Sequence, residues 1–209
     1  MIAYFYKPDD EGYDSSLRHG IILGYPSKSK FTWSNNGDTS SLVSRNEQDT
    51  TYRKINYGKS NTNLIVKSQG PGNYAAAYCE QFEQNGYKDW YLPSMNELRR
   101  IIYFIFYQYH LNWNTDMESN DPTNFYYWRQ YKGWYWSSSE YSKSKAYIIN
   151  IPINGVDEIT DEYDVEDQHQ PFYDGSGNDR KLVNDLMSGK SIYLDLKTKK
   201  RYVIPIRYF

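Results

Sequence analysis

The chain is predicted to be an α+β domain, because two helix signatures occupy 73–86 and the run from 94 onward, and strand-like runs gather in the later half. At 209 residues, with no Pro/Gly/Ser-rich linker to divide it, one domain over 1–209 is expected.

"MIAYFY" alternates enough to be a strand, and "HGIILGY" at 19–25 reads as a second, bounded by Gly20 and Gly24. Residues 26–63 lack apolar periodicity and are expected to be long loops. In "NYAAAYCEQFEQNG", Ala75, Tyr78, Cys79 and Phe82 fall on one helix face, with Asn73 as cap and Gly86 as stop. Cys79 then lies on a buried stripe and packs as a small core residue.

In "KDWYLPSMNELRRIIYFIF", Ser94 and Glu97 form a capping box, with Pro93 fixing the entry. Leu98, Ile101, Ile102 and Ile105 supply the apolar face. Trp90 and Leu92 point the same way from an extended segment, so Trp90, Leu92, Leu98, Ile102 and Trp136 are expected in one buried cluster. A polar, aromatic-laced loop follows Tyr109, then strands at "WYWSSS" and "KAYIINIPI", with Asn154-Gly155 as a hairpin turn signal. "DRKLVNDLM" suggests a short helix stopped by Gly189. "SIYLDL" and "RYVIPIRYF" read as a terminal hairpin across "KTKK", with Tyr202, Ile204 and Ile206 on one face.

Composition narrows the function classes. Twenty-four Tyr, six Trp and eight Phe exclude wholesale disorder, and such a Tyr excess suits recognition. Nine carboxylates from Asp157 to Asp179 occur with no Lys or Arg among them, leaving 17 acidic against 24 basic residues elsewhere. An acidic insertion is thus expected at about 156–190, its part from Val156 to Asp179 exposed and more mobile than the sheet, on a mildly basic body. The thin basic excess disfavours nucleic acid. No charged-then-apolar amino-terminal run and no apolar stretch of membrane-spanning length is present.

Four motifs in order, "AAAYCEQFEQNGYKDWYLPSMNEL", "YWSSSEY", "KAYIINI" and "RYVIPIRYF", together resemble the Lcl C-terminal domain family, a domain of unknown function. The resemblance covers most of 73–209. It implies a C-type-lectin-like fold close to the formylglycine-generating-enzyme variant: two helices packed on a small, mostly antiparallel sheet with long loops. It also implies a habit of ligand binding, as in bacterial adhesins, pilus-associated and phage proteins and the targets of diversity-generating retroelements. The expected location is extracellular, on a cell surface or a virion. The acidic insertion departs from the simplest family pattern.

Catalysis finds little support. His19, His110 and His169 stand in separate regions without metal-ligand spacing, and Ser137, Ser138 and Ser139 lack a nucleophile elbow. The oxygen-dependent enzymes of the resembling fold need a cysteine pair, whereas Cys79 stands alone. "GPG" at 70–72 is a turn, and no cofactor motif is present. "DEYDVEDQ" has the carboxylate density of a hard-cation site without the spacing of a calcium loop, so no metal ligands are assigned.

Binding is therefore expected of a non-enzymatic adhesion or display module whose partner is a protein or glycan on a cell surface. Trp134, Trp136 and Tyr147 are assigned to the core. Tyr126, Trp128, Arg129, Tyr131, Tyr141 and Lys143 are the expected ligand-binding residues, with core packing competing for the four aromatic ones. Two alternatives stay open: a structural subunit whose aromatic face is an assembly interface, and an enzyme with an unrecognised site.

Overall fold

The computed structural model describes residues 2–8, 10, 12–35, 55–102, 133–151 and 192–209. Among them the architecture is α+β, with helices and two three-stranded antiparallel sheets where one sheet was expected. In the first sheet β1 (Ile2–Phe5) pairs with β2 (Gly20–Leu23), which pairs with β6 (Ile206–Tyr208). In the second, β3 (Gly133–Glu140) pairs with β4 (Lys145–Ile151), which pairs with β5 (Ile192–Leu196).

The terminal hairpin does not form. The turn at 196–199 closes, with the Lys199 amide donating to the Leu196 carbonyl at 2.8 Å. Beyond it, however, the chain pairs Arg201 with Phe31 and Tyr202 with Tyr135, then joins β2 in the other sheet. Residues 201–208 are therefore a spine linking the sheets, and β5 belongs wholly to β4.

This spine explains a second departure. Trp90, Leu92, Leu98, Ile102 and Trp136 are all buried, at 4% exposure for Trp90 and 0% for the rest, but they do not share one cluster. One apolar cluster holds Tyr91, Leu98, Ile102, Tyr135, Ile149, Ile204 and Ile206; the other holds Leu92, Cys79, Trp136, Ile148 and Val203. Neighbours in sequence fall on opposite sides: Tyr91 and Leu92, Tyr135 and Trp136, Ile148 and Ile149, Val203 and Ile204. Successive extended residues point to opposite faces, and here both faces are covered. Trp90 sits apart, edge-on to Phe82 with centroids 5.3 Å from each other. The expected shared face of Tyr202, Ile204 and Ile206 holds, since all three serve the first cluster.

Helix α1 (Tyr57–Gln69) lies partly where a loop was expected. Its buried residues, Gly58, Asn61, Thr62 and Ile65, have helical spacing, but three of the four are not apolar, so a search for apolar periodicity passes over them. Helix α2 (Ala75–Gln81) is capped at Tyr74, not Asn73, and ends at Phe82 before Gly86. Gly86 belongs to a tight turn from Gln84 to Tyr87, in which Asn85 and Gly86 have φ of 55° and 80°. That Asn-Gly pair adopts left-handed backbone, which those two residues tolerate best. A third helix, α3, is helical over 95–102, the last described residues of its segment. Its capping box is formed as expected: the Glu97 amide donates to Ser94 Oγ at 3.3 Å, and the Ser94 amide to Glu97 Oε2 at 2.7 Å.

The expected helix at "DRKLVNDLM", the Asn154-Gly155 turn, the acidic insertion, Ile105, His110 and His169 lie outside the described residues.

Candidate functional site

Of the six expected ligand-binding residues, Tyr126, Trp128, Arg129 and Tyr131 lie outside the described residues. Tyr141 and Lys143 fall in the turn that joins β3 to β4, and both are exposed, Tyr141 at 48%. The turn is closed by the Tyr141 and Ser142 amides, each donating to the Lys145 carbonyl at 3.0 Å, and by the Lys145 amide donating to Ser142 Oγ at 3.1 Å. The Tyr141 ring stands perpendicular to Tyr147, centroids 5.7 Å apart, which restrains it on one side. Tyr147 and Trp134, assigned to the core from the sequence, are only half-buried. Trp134 packs edge-on against Tyr193.

Beneath this turn lies a charge the sequence did not reveal. Lys197 is fully buried, and its ammonium donates to Glu140 and, at 2.9 Å, to the Lys143 carbonyl. It also sits 4.5 Å from the Trp33 ring centroid, a cation–π distance. Its backbone is held as well: the Lys197 amide donates to the Ser144 carbonyl at 2.9 Å, and the Trp33 amide donates to the Lys197 carbonyl at 3.0 Å. Trp33 is itself fixed by its indole N–H, which donates to the Ser137 carbonyl at 2.8 Å. Lys197 therefore ties together the end of β3, the turn and the Trp33 segment.

The three serines of β3 are fully buried, and they hold several elements rather than only their own strand. Ser137 Oγ donates to the Tyr147 carbonyl at 2.9 Å, Ser138 Oγ accepts from Asn61 of α1 at 3.3 Å, and Ser139 Oγ accepts from the Met95 amide of α3 at 3.0 Å. With every hydroxyl engaged in this way, they form a framework for the turn.

A second buried carboxylate organises the start of α1. Glu97, at 0% exposure, accepts from the Ser94 amide at 2.7 Å, the Asn56 and Gly58 amides at 3.1 Å, the Tyr91 hydroxyl at 3.4 Å and the Tyr208 hydroxyl. It thereby caps α1, whose own cap residue, Asn56, makes no side-chain capping bond and instead accepts from the Tyr6 hydroxyl. A Cβ at Gly58 would come within 2.2 Å of Glu97 Oε2, so only glycine lets the carboxylate approach this amide. Burial first, and the Glu97 charge second, push the Tyr91 and Tyr208 phenols well above their usual range.

Cys79 is buried, and desolvation holds its thiol far above the range of a reactive thiolate, as its place on a core stripe implied. Among the described residues no group of His, Cys, Asp and Glu has the arrangement of a metal site, and no helix is long and apolar enough to cross a membrane.

No family model, curated protein or solved structure matches this chain.

Proposed function

We propose that the chain is a non-enzymatic ligand-binding module of C-type-lectin-like fold, serving adhesion or display on a bacterial surface or phage-associated protein, with a protein or glycan as its partner. The observation that supports this reading is the β3–β4 turn: an exposed tyrosine and lysine that follow a strand buried from Tyr135 to Glu140 and are braced from below by the buried Lys197. A contact surface held this way loses little conformational freedom on binding. The order of the four family-like motifs supports the same reading, and with it an origin among retroelement-diversified domains. In that case the neighbouring DNA carries a near-repeat of the coding region that differs at adenines.

The test is a glycan and protein array probed with the wild-type chain and with the Tyr141→Ala/Lys143→Ala variant. A ligand should appear for the wild type and be lost in the variant, while the melting temperature stays nearly the same, since surface substitutions shift stability by only about 0.5 kcal/mol. Binding that survives the double substitution removes the turn from the site.

A further inference from the structure

The first sheet carries a cleft of about 200 Å³ beside the Asn85-Gly86 turn, built from residues separate from those of the β3–β4 turn. Its volume is below that of pockets for drug-sized ligands, so its occupant is about one ring in size. Tyr87, 51% exposed, forms one wall. The Arg207 guanidinium lies 3.9 Å from its ring centroid, and Asp89 grips that guanidinium through two bonds, at 2.7 and 3.1 Å. The Trp90 indole N–H donates to the Tyr87 carbonyl at 2.9 Å, which fixes the backbone that presents the ring. The turn beneath is closed in both directions, Gln84 to Tyr87 at 3.2 Å and Tyr87 to Gln84 at 3.1 Å. Ile2 and Ile22 add an apolar flank.

The charged group in the lining is already paired. Arg207 is matched by Asp89, which Lys59 also influences from outside the lining, and nearby Lys88 is matched by Glu83 at 3.3 Å. Among the described residues the lining therefore aims no unpaired charge at a ligand. What it offers is a half-open aromatic ring, the exposed amide of Asn85 and the outer atoms of a planar ion pair, all preorganised. A pyranose ring matches this set, since it has one face of C–H groups to lie on an aromatic ring and hydroxyls that both donate and accept. We infer that this cleft is a binding site for a neutral hexopyranose.

The experiment is saturation-transfer NMR of the full chain with the methyl glycosides of glucose, galactose and mannose, and with N-acetylneuraminic acid as the anionic comparison. At least one neutral glycoside should give transfer, and Tyr87→Ala should weaken it by about tenfold. Asn85→Gly keeps the left-handed backbone while removing only the amide, so it tests the site without loss of the turn, and it should weaken binding several-fold. Tyr141→Ala should leave the transfer unchanged, which separates this site from the one proposed on the β3–β4 turn. No transfer from any neutral glycoside, transfer that survives Tyr87→Ala and Asn85→Gly, or preference for the anionic sugar would each overturn the inference.

Discussion

Glu97 and Glu140 are both buried, at 0% and 1% exposure, and the chain satisfies them with different chemistry. Glu140 meets a buried ammonium, Lys197, which also reaches the Lys143 carbonyl and the Trp33 ring. Glu97 is surrounded by backbone amides and phenols from three separate segments, 56–58, 91–94 and Tyr208. A buried ion pair loses the hydration of two charges, so it stabilises little more than an apolar pair would, and its main effect is to orient what it touches. A carboxylate gathered among neutral donors has no single partner that could be exchanged along with it. The first arrangement specifies a local shape, that of the β3–β4 turn, and the second fastens distant parts of the chain.

The sharpest way to break this contrast is Lys197→Met, which strands Glu140 in the interior and should cost roughly 3–5 kcal/mol in urea unfolding. Adding Glu140→Leu should restore most of that loss, yet amide hydrogen exchange across 141–145 should stay faster than in the wild type, because the Lys143 carbonyl has lost its donor. A double variant as rigid as the wild type would show that the pair does not orient the turn.

Glu97→Gln should cost about 2 kcal/mol, since the new amide sets an N–H group against other donors. No single companion substitution should recover it, and full rescue by Tyr208→Phe would erase the distinction between the two glutamates.

The smallest effect is that of Tyr208→Phe alone, about 1 kcal/mol near neutral pH. Its pH dependence is more telling. The Tyr91 and Tyr208 phenols are raised in the folded state, so their contribution is complete below the ordinary phenol range. As pH rises through that range, at about 10, the unfolded chain ionises first and stability falls. Denaturant midpoints followed up through this range should fall less steeply in Tyr208→Phe than in the wild type.

The difference between the two glutamates also marks how far the sequence could be read. The capping box was legible because Ser94 and Glu97 are three residues apart and the interaction is local. The rest of the Glu97 cluster was not, because Asn56, Gly58 and Tyr208 enter it through the fold alone. Strands β3 and β4 were legible by alternation, but alternation could not tell that both faces are covered, so five buried residues were merged into one cluster. Lys197, the first residue of "KTKK", had every mark of a solvated lysine, and only the placement of Trp33 and Glu140 makes it a core residue. Helix α1 escaped because Asn61 and Thr62 bury polar groups bonded to Ser138 and to the Leu92 backbone. The Asn85-Gly86 turn did carry a signal in the Asn-Gly pair, which was outweighed by reading Gly86 as a helix stop. Of the expected binding residues, Tyr141 and Lys143 are exposed; for Tyr141 the sequence left core packing and ligand contact open, because alternation ends where the turn begins.

The bond from Tyr208 to Glu97 spans 111 residues of chain, and this bears on how the protein is made. During translation the Asn56, Gly58, Tyr91 and Ser94 donors are all synthesised well before Tyr208. The full set around Glu97, and the β6 partner of β2, can therefore be completed only once the last strand has been made.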